Sequence, residues 1–166
     1  ATIAKVVHDL RAALPGAVVY VFDNNSTDGT AALAREAGAV VMREKRKGKG
    51  HVVSTMLWKI DADYYLMVDG DDTYPAAAAS ALLEPLYADE ADMVVGQRLS
   101  VYSDRAFPRF HVLGNNLVRG TINMIFGSHL TDTMSGFRAF TREVAESMAI
   151  VSTGFDVETE MTLQCL

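Results

Sequence analysis

Tyr64-Tyr65-Leu66-Met67-Val68-Asp69-Gly70-Asp71-Asp72-Thr73 is the stretch on which the reading of this chain turns. Residues 64–68 are apolar or aromatic, which fits a short buried strand. The run then breaks at once into carboxylates and a glycine. The acids therefore sit at the carboxyl end of the strand. Residues i and i+2 of an extended segment point the same way, so Asp69 and Asp71 can converge on one ion while Gly70 lets backbone come close. Carboxylate oxygens suit Mg²⁺ or Mn²⁺, which keep coordination places for substrate phosphates. On spacing alone a solvated acidic turn remains the plainer alternative. An EF-hand loop does not fit, because Tyr74 falls where its glycine belongs and Ser80 where its glutamate belongs.

The segments around this strand alternate. Ile3, Val6, Val7, Leu10 and Leu14 make a helical stripe over Thr2–Leu14, stopped by Pro15-Gly16. Ala17–Phe22 reads as a buried strand, and Asn24–Asp28 as a turn with Thr27 or Asp28 as N-cap. An Ala-rich helix runs to about Ala37, closed by Gly38, and Ala39–Met42 is a short strand. A basic loop reaches Gly50, and a second helical stripe covers Val52–Ile60. Ala76–Tyr87 reads as a helix and Asp92–Val95 as a strand. Further on, a helix is expected over Arg109–Phe126, a short strand near Phe140, and helices over Thr141–Ala149 and Asp156–Leu166. This order predicts parallel βα units and an α/β sheet with ligands at the carboxyl ends of its strands. Asp23, Asp69–Asp72 and Gln97-Arg98 all follow strands.

Composition agrees with one folded domain over residues 1–166. The chain is 49% hydrophobic and 22% charged, enough apolar material for a core and too little charge for disorder. No apolar run approaches the roughly 18 residues of a membrane span. The single Cys165 excludes an internal disulfide and fits a cytoplasmic address. Net charge is −6, unevenly spread: Arg43–Lys49 (REKRKGK) carries +4 and the remainder −10. An acidic chain is a poor general nucleic-acid binder, so no nucleic acid is expected. A small basic patch beside an acidic cluster suits an anion that arrives with a metal. The chain opens on a helix where a βα unit wants a strand, and it has no initiator Met. The expectation is a fragment without its N-terminal strand, and with its C-terminal end in question too.

Three other constellations stand out. Val19–Thr30 (VYVFDNNSTDGT) places Asp23 at a strand end, where a carboxylate can accept from a base imide or a ribose hydroxyl. An Asx turn with a helix cap is the competing reading. Lys45–Gly50 can cradle phosphates, although it lacks Walker spacing, and a solvated loop explains it as well. Asp132–Arg138 and Gly154–Glu158 read from chemistry alone as a turn, a strand start and a helix cap. The four histidines show no zinc spacing.

In this order, Val19–Thr30, Gly48–Gly50, Tyr65–Pro75, Val94–Arg98 and Asp132–Phe140, ending near Glu158, resemble glycosyltransferase family two. The resemblance is greatest to dolichyl- or polyprenyl-phosphate hexose synthases. It implies a GT-A fold: a three-layer, Rossmann-like, mostly parallel sheet with helices on both faces. It implies that Asp23 and Asn25 meet the nucleotide. The Asp-x-Asp motif becomes Asp69 and Asp71, metal ligands on the donor diphosphate. The Lys/Gly loop supplies Lys49, Gly96-Gln97-Arg98 makes Arg98 a phosphate contact, and Arg109 is a candidate for an acceptor phosphate. Thr73 stands where relatives often carry Gln. The implied reaction is inverting transfer of a hexose from a UDP- or GDP-sugar, with Mg²⁺ or Mn²⁺ as cofactor. A polyprenyl or dolichyl phosphate is the candidate acceptor, with peripheral contact at the cytoplasmic membrane face. Asp71 acts through the metal, and Asp132 is the candidate base if the acceptor is a hydroxyl. Two other readings compete. Val68–Thr73 also fits the Asp-x-Asp-x-Thr start of haloacid-dehalogenase-like phosphatases, with Asp69 as nucleophile. A non-catalytic nucleotide-sugar-binding module is the other.

Overall fold

A computed structural model describes residues 2–96, 124 and 132–166. The expected helix at 109–126, the loop before it, and Arg98 and Arg109 lie outside the described residues. The elements are α1 (Thr2–Ala13), β1 (Tyr20–Asp23), α2 (Thr30–Glu36), β2 (Val40–Arg43), α3 (Lys49–Lys59), β3 (Tyr64–Met67), a 3₁₀ turn (Ala76–Ala78) running into α4 (Ala79–Tyr87), β4 (Met93–Val95), β5 (Arg138–Thr141), α5 (Arg142–Ser147) and α6 (Val157–Gln164).

β1 and β2 pair in parallel, with Asp23 opposite Arg43. β5 lies between β3 and β4 and runs antiparallel to both. β3 and β4 therefore point the same way, and β5 begins at the edge where they end. Among the described residues no pairing joins β1 to β3.

Strand alternation builds three layers. Leu66, Val68, Phe137, Ala139 and Val94 face one side and meet Val6 and Leu10 of α1 and Leu82, Leu83 and Leu86 of α4. Tyr65, Met67, Phe140 and Met93 face the other side, against Val53 of α3, Val144 of α5, and Val157 and Met161 of α6. A third cluster seats Ile3 and Val7 of α1 with Ala34, Val21 and Val41. Helix α1 thus spans both sheets with one apolar stripe.

Three expectations shift. Residues 17–22 are buried on one face only: Val19 and Val21 pack inward, whereas Val18 is 65% exposed because no cluster covers its side. The cap of α2 is Gly29 in the left-handed region, and Asp28 instead accepts from the Thr30 backbone N–H and hydroxyl. Helix α3 starts at Lys49, so Lys49 and Gly50 belong to its first turn and not to the loop before it.

Phe140 is fully buried and stacks on Tyr65, with ring centroids 5.2 Å apart. Phe140→Ala is expected to cost about 3–5 kcal/mol in urea unfolding. Trp58→Ala is expected to stay within about 0.5 kcal/mol, because that ring is 83% exposed.

Candidate functional site

Parallel pairing sets the ends of β1 and β2 side by side, and the corner after β1 is sewn to the loop after β2. Asp23 is buried, and its Oδ1 accepts from Ser26 N at 3.2 Å, which closes the corner after β1. Asn25 adopts a φ of 65°, which asparagine tolerates better than most residues. The Asn24 amide donates to the carbonyls of Glu44 and Arg46, and the Asn25 amide to those of Glu44 and Lys45. Asn24 Oδ1 accepts from Gly48 N at 2.9 Å. Asn25 therefore shapes the basic loop directly.

The loop's charge is partly spent internally. Arg46 forks onto Glu44 at 3.0 and 3.1 Å, and the Thr55 hydroxyl donates to the same carboxylate. The Arg46 guanidinium, the Thr55 hydroxyl and the Arg46 backbone N–H hold the Glu44 carboxyl far below its usual range. Lys45 and Lys47 remain exposed beside it.

Gly48 and Gly50 answer a close approach. A Cβ on either would run into the carbonyl oxygens of Thr153 or Ser152, and Gly50 N donates to Thr153 O at 3.3 Å. Gly48 also holds a φ of 124°, which disfavours any side chain. The close fit presses the start of α3 against residues 152–153 and fixes where the next side chain goes. Lys49 Nζ lies 2.5 Å from Asp69 Oδ1 and also pairs with Glu158 Oε1. Burial alone would lower the Lys49 pKa, but the bonds from Asp69 and Glu158 outweigh it and raise it.

The segment 132–138 completes the floor. Gly136 lies so close to Asp69 that a Cβ there would strike its carboxylate. Gly136 N donates to Tyr74 Oη at 3.1 Å, which sets that approach. Arg138 is fully buried; it donates to Ser135 O at 2.8 Å, to Glu158 O at 3.1 Å and to Thr162 Oγ1 at 3.3 Å. It thereby fastens the 135–136 turn to the first turn of α6. Asp132 Oδ1 accepts from Met134 N at 2.8 Å, and Asp132 lines a hollow with Met93, Val95 and Thr162. That hollow also takes in Glu143 and Ser147 of α5 and Gln164 of α6.

The acidic turn is anchored from outside. Lys5 of α1 bonds Asp72 and Asp9 at 2.8 Å each, and these bonds push its pKa up to about 12. Asp71 Oδ1 accepts from Thr73 N at 3.0 Å. Among the described residues no group of three or more acids, histidines or cysteines forms a ready metal cage. Asp69 and Asp71 offer hard carboxylate oxygens, the donor type that suits a divalent cation with further ligands from phosphate and water.

Asp23, Asn25, Lys49, Asp69 and Asp71 thus lie at strand-end corners linked through Asn24, Gly48 and Lys49, whereas Asp132 lines the hollow beside α6. Glu158 and Arg138 are the buried charged side chains around Lys49 that sequence reading passed over. Their signal was a charge on an apolar face: Glu158 lies at helical spacing with Val157, Met161 and Thr162, all buried. Arg138 opens a strand whose four residues are all buried.

The molecule is similar to glucosyl-3-phosphoglycerate synthase from Mycobacterium tuberculosis in complex with uridine diphosphate. The TM-score is 0.77 at 25% identity, over 98% of this chain and 59% of that one. The fold is that of the GT-A glycosyltransferases. The chain belongs to glycosyl transferase family 2, whose family model matches residues 1–148. It is 41% identical to the glycosyltransferase AglJ of Haloferax volcanii over 99% of this chain and 54% of that protein. It is 30% identical to the dolichyl-phosphate hexose transferase of the same organism, over 86% of this chain and 61% of that protein. The chain thus spans a little over half the length of these curated relatives. Family membership removes the dehalogenase-like phosphatase reading, since the whole alternating chain, and not the Asp69 motif alone, matches.

Two stability outcomes follow from this packing. Gly50→Ala should lower stability by about 2 kcal/mol or more in denaturant titration, because a backbone carbonyl blocks the added methyl. Glu44→Gln should be less stable than the parent at pH 7. A depressed folded pKa contributes stability above the ordinary glutamate value of 4.5 and loses it as pH falls. The gap between the two proteins should therefore shrink in denaturant titrations at pH 3.

Proposed function

We propose that the protein transfers a hexose from a nucleoside diphosphate sugar to an acceptor, and that Asp69 and Asp71 hold the Mg²⁺ or Mn²⁺ on which the transfer depends. The observation that carries this reading is the convergence of the Asp69–Asp71 turn, Lys49 and the Asp23 corner on one strand-end edge. When bound, the cation neutralises charge developing on the leaving diphosphate.

The chain's own residues do the remaining work. Asp23, fixed by its bond from Ser26 N, meets the nucleotide, and Asn25 holds the loop beneath it. Lys49 supplies a positive charge to the diphosphate that needs no reorientation by solvent. Lys45 and Lys47 raise the local concentration of the anionic donor. Arg98 and Arg109 are assigned to donor and acceptor phosphates. A UDP-sugar donor is supported by the UDP complex of the M. tuberculosis synthase. A lipid phosphate acceptor is supported by the dolichyl-phosphate hexose transferase of H. volcanii. Such an acceptor is already an anionic nucleophile and needs no base. A hydroxyl acceptor needs one, and Asp132 is the residue we assign to that role. No helix among the described residues is long and apolar enough to cross a membrane. We assign the protein a peripheral position at the cytoplasmic membrane face, a reading supported by its likeness to the dolichyl-phosphate hexose transferase.

Asp71→Asn tests the reading. Metal-dependent release of UDP or GDP from the corresponding sugars, with polyprenyl phosphate present, should fall by roughly 10²-fold or more while the melting temperature holds. Undiminished release by a folded variant rejects it. Saturable nucleotide binding by the parent protein without any turnover would establish the non-catalytic binding module instead.

A further inference from the structure

Glu158 is 3% exposed and sits in the first turn of α6. Its Oε1 pairs with Lys49 Nζ. Its Oε2 is buried and has no hydrogen-bond partner among the described residues. An ionised oxygen left unpaired in a buried place is unfavourable, and native structures keep such groups sparingly. The neighbouring guanidinium does not serve it: Arg138 spends its donors on the carbonyls of Ser135 and Glu158 and on the Thr162 hydroxyl. That fixes the backbone of residue 158 and leaves its carboxylate to Lys49.

Lys49 carries three N–H donors on a flexible stem. Its ammonium already touches both carboxylates, so passing from one to the other needs only a small rotation of the side chain. Asp69 in turn has two claimants. The ammonium holds Oδ1 at 2.5 Å, and a divalent cation on the same carboxylate would meet that positive charge at close range. The two occupants exclude one another. Whichever leaves needs another anion, and the unpaired Oε2 is the acceptor in reach.

We propose that Lys49 is a built-in counter-ion that occupies the Asp69 seat, and that Glu158 is the positioning residue that receives the Lys49 ammonium when a divalent cation takes Asp69. This rests on the reading of Asp69 and Asp71 as the metal seat. The exchange keeps the site's charge balanced in both states and makes metal uptake depend on a carboxylate that need not touch the metal.

The test is titration of the protein with Mn²⁺ alone, reading free Mn²⁺ by electron paramagnetic resonance, with melting temperatures taken alongside. Lys49→Gln keeps hydrogen-bond donors but removes the competing charge; it should tighten Mn²⁺ binding by about fivefold or more. Glu158→Gln removes the receiving anion; it should weaken binding by about fivefold in the parent and much less in the Lys49→Gln background. Unchanged or weaker binding by Lys49→Gln overturns the exchange. An equal loss from Glu158→Gln in both backgrounds overturns the role of Glu158, because a simple field effect acts without the lysine. Should Glu158→Gln fail to fold, the sign of the Lys49→Gln shift decides. Asp71→Asn separates the two levels. If it binds Mn²⁺ as the parent does, the metal seat itself is misassigned. If it loses Mn²⁺ while Lys49→Gln gains nothing, only the exchange fails.

Discussion

A single ammonium, that of Lys49, ties the working edge of this molecule together. It reaches from the first turn of α3 to Asp69 at the end of β3 and to Glu158 at the start of α6. An ion pair of this kind at about 4 Å is worth on the order of 4 kcal/mol at an effective dielectric of 20, before desolvation is subtracted. Much of that gain is returned as the cost of taking three charges out of water. The net effect is therefore placement more than stability. Without the bridge, two carboxylates would face each other near Gly136, and like charges so placed repel.

Placement of that ammonium follows from glycines and not from the lysine. Gly48 and Gly50 let the α3 backbone approach Ser152 and Thr153, which sets the height of the helix start above the sheet. Gly136 performs the same service for Asp69. Tyr74 joins the two halves by accepting from Gly136 N, and Asn24 joins the corner after β1 to Gly48. Each strand end is therefore connected to the next through backbone contacts that tolerate no side chain. Such a site can hold its geometry without a dedicated cage of ligands.

Much of this was legible from the residues. The stripes Ile3–Leu14 and Val52–Ile60 identify helices because their apolar residues recur at helical spacing. The run Tyr64–Val68 identifies a strand because it is short, β-prone and cut off by acids. Asp23, Asp69 and Asp71 followed from their position after strands, and Lys49 from the resemblance's Lys/Gly loop. Other features were hidden. β5 begins with Arg138, and a buried arginine gives a strand no apolar signature. Its antiparallel insertion between β3 and β4 depends on pairing across some 70 residues, which local pattern does not encode. Glu158 read as a helix-cap acid because its partner, Lys49, is more than 100 residues away. The close packing of the basic loop's glycines against Ser152 and Thr153 had no sequence signal, since those partners lie about 100 residues away. Val18 and Tyr20 looked buried because the run around them is apolar, yet no described element covers their side.

The central claim is that the turn after β3 seats a divalent cation facing the corner after β1. Anomalous diffraction from crystals soaked with Mn²⁺ and UDP tests it most directly. The account predicts one strong peak about 2.2 Å from carboxylate oxygens of both Asp69 and Asp71, with a diphosphate oxygen completing the shell and the base beside Asp23. A peak elsewhere, or UDP bound with no peak at these carboxylates, would contradict it.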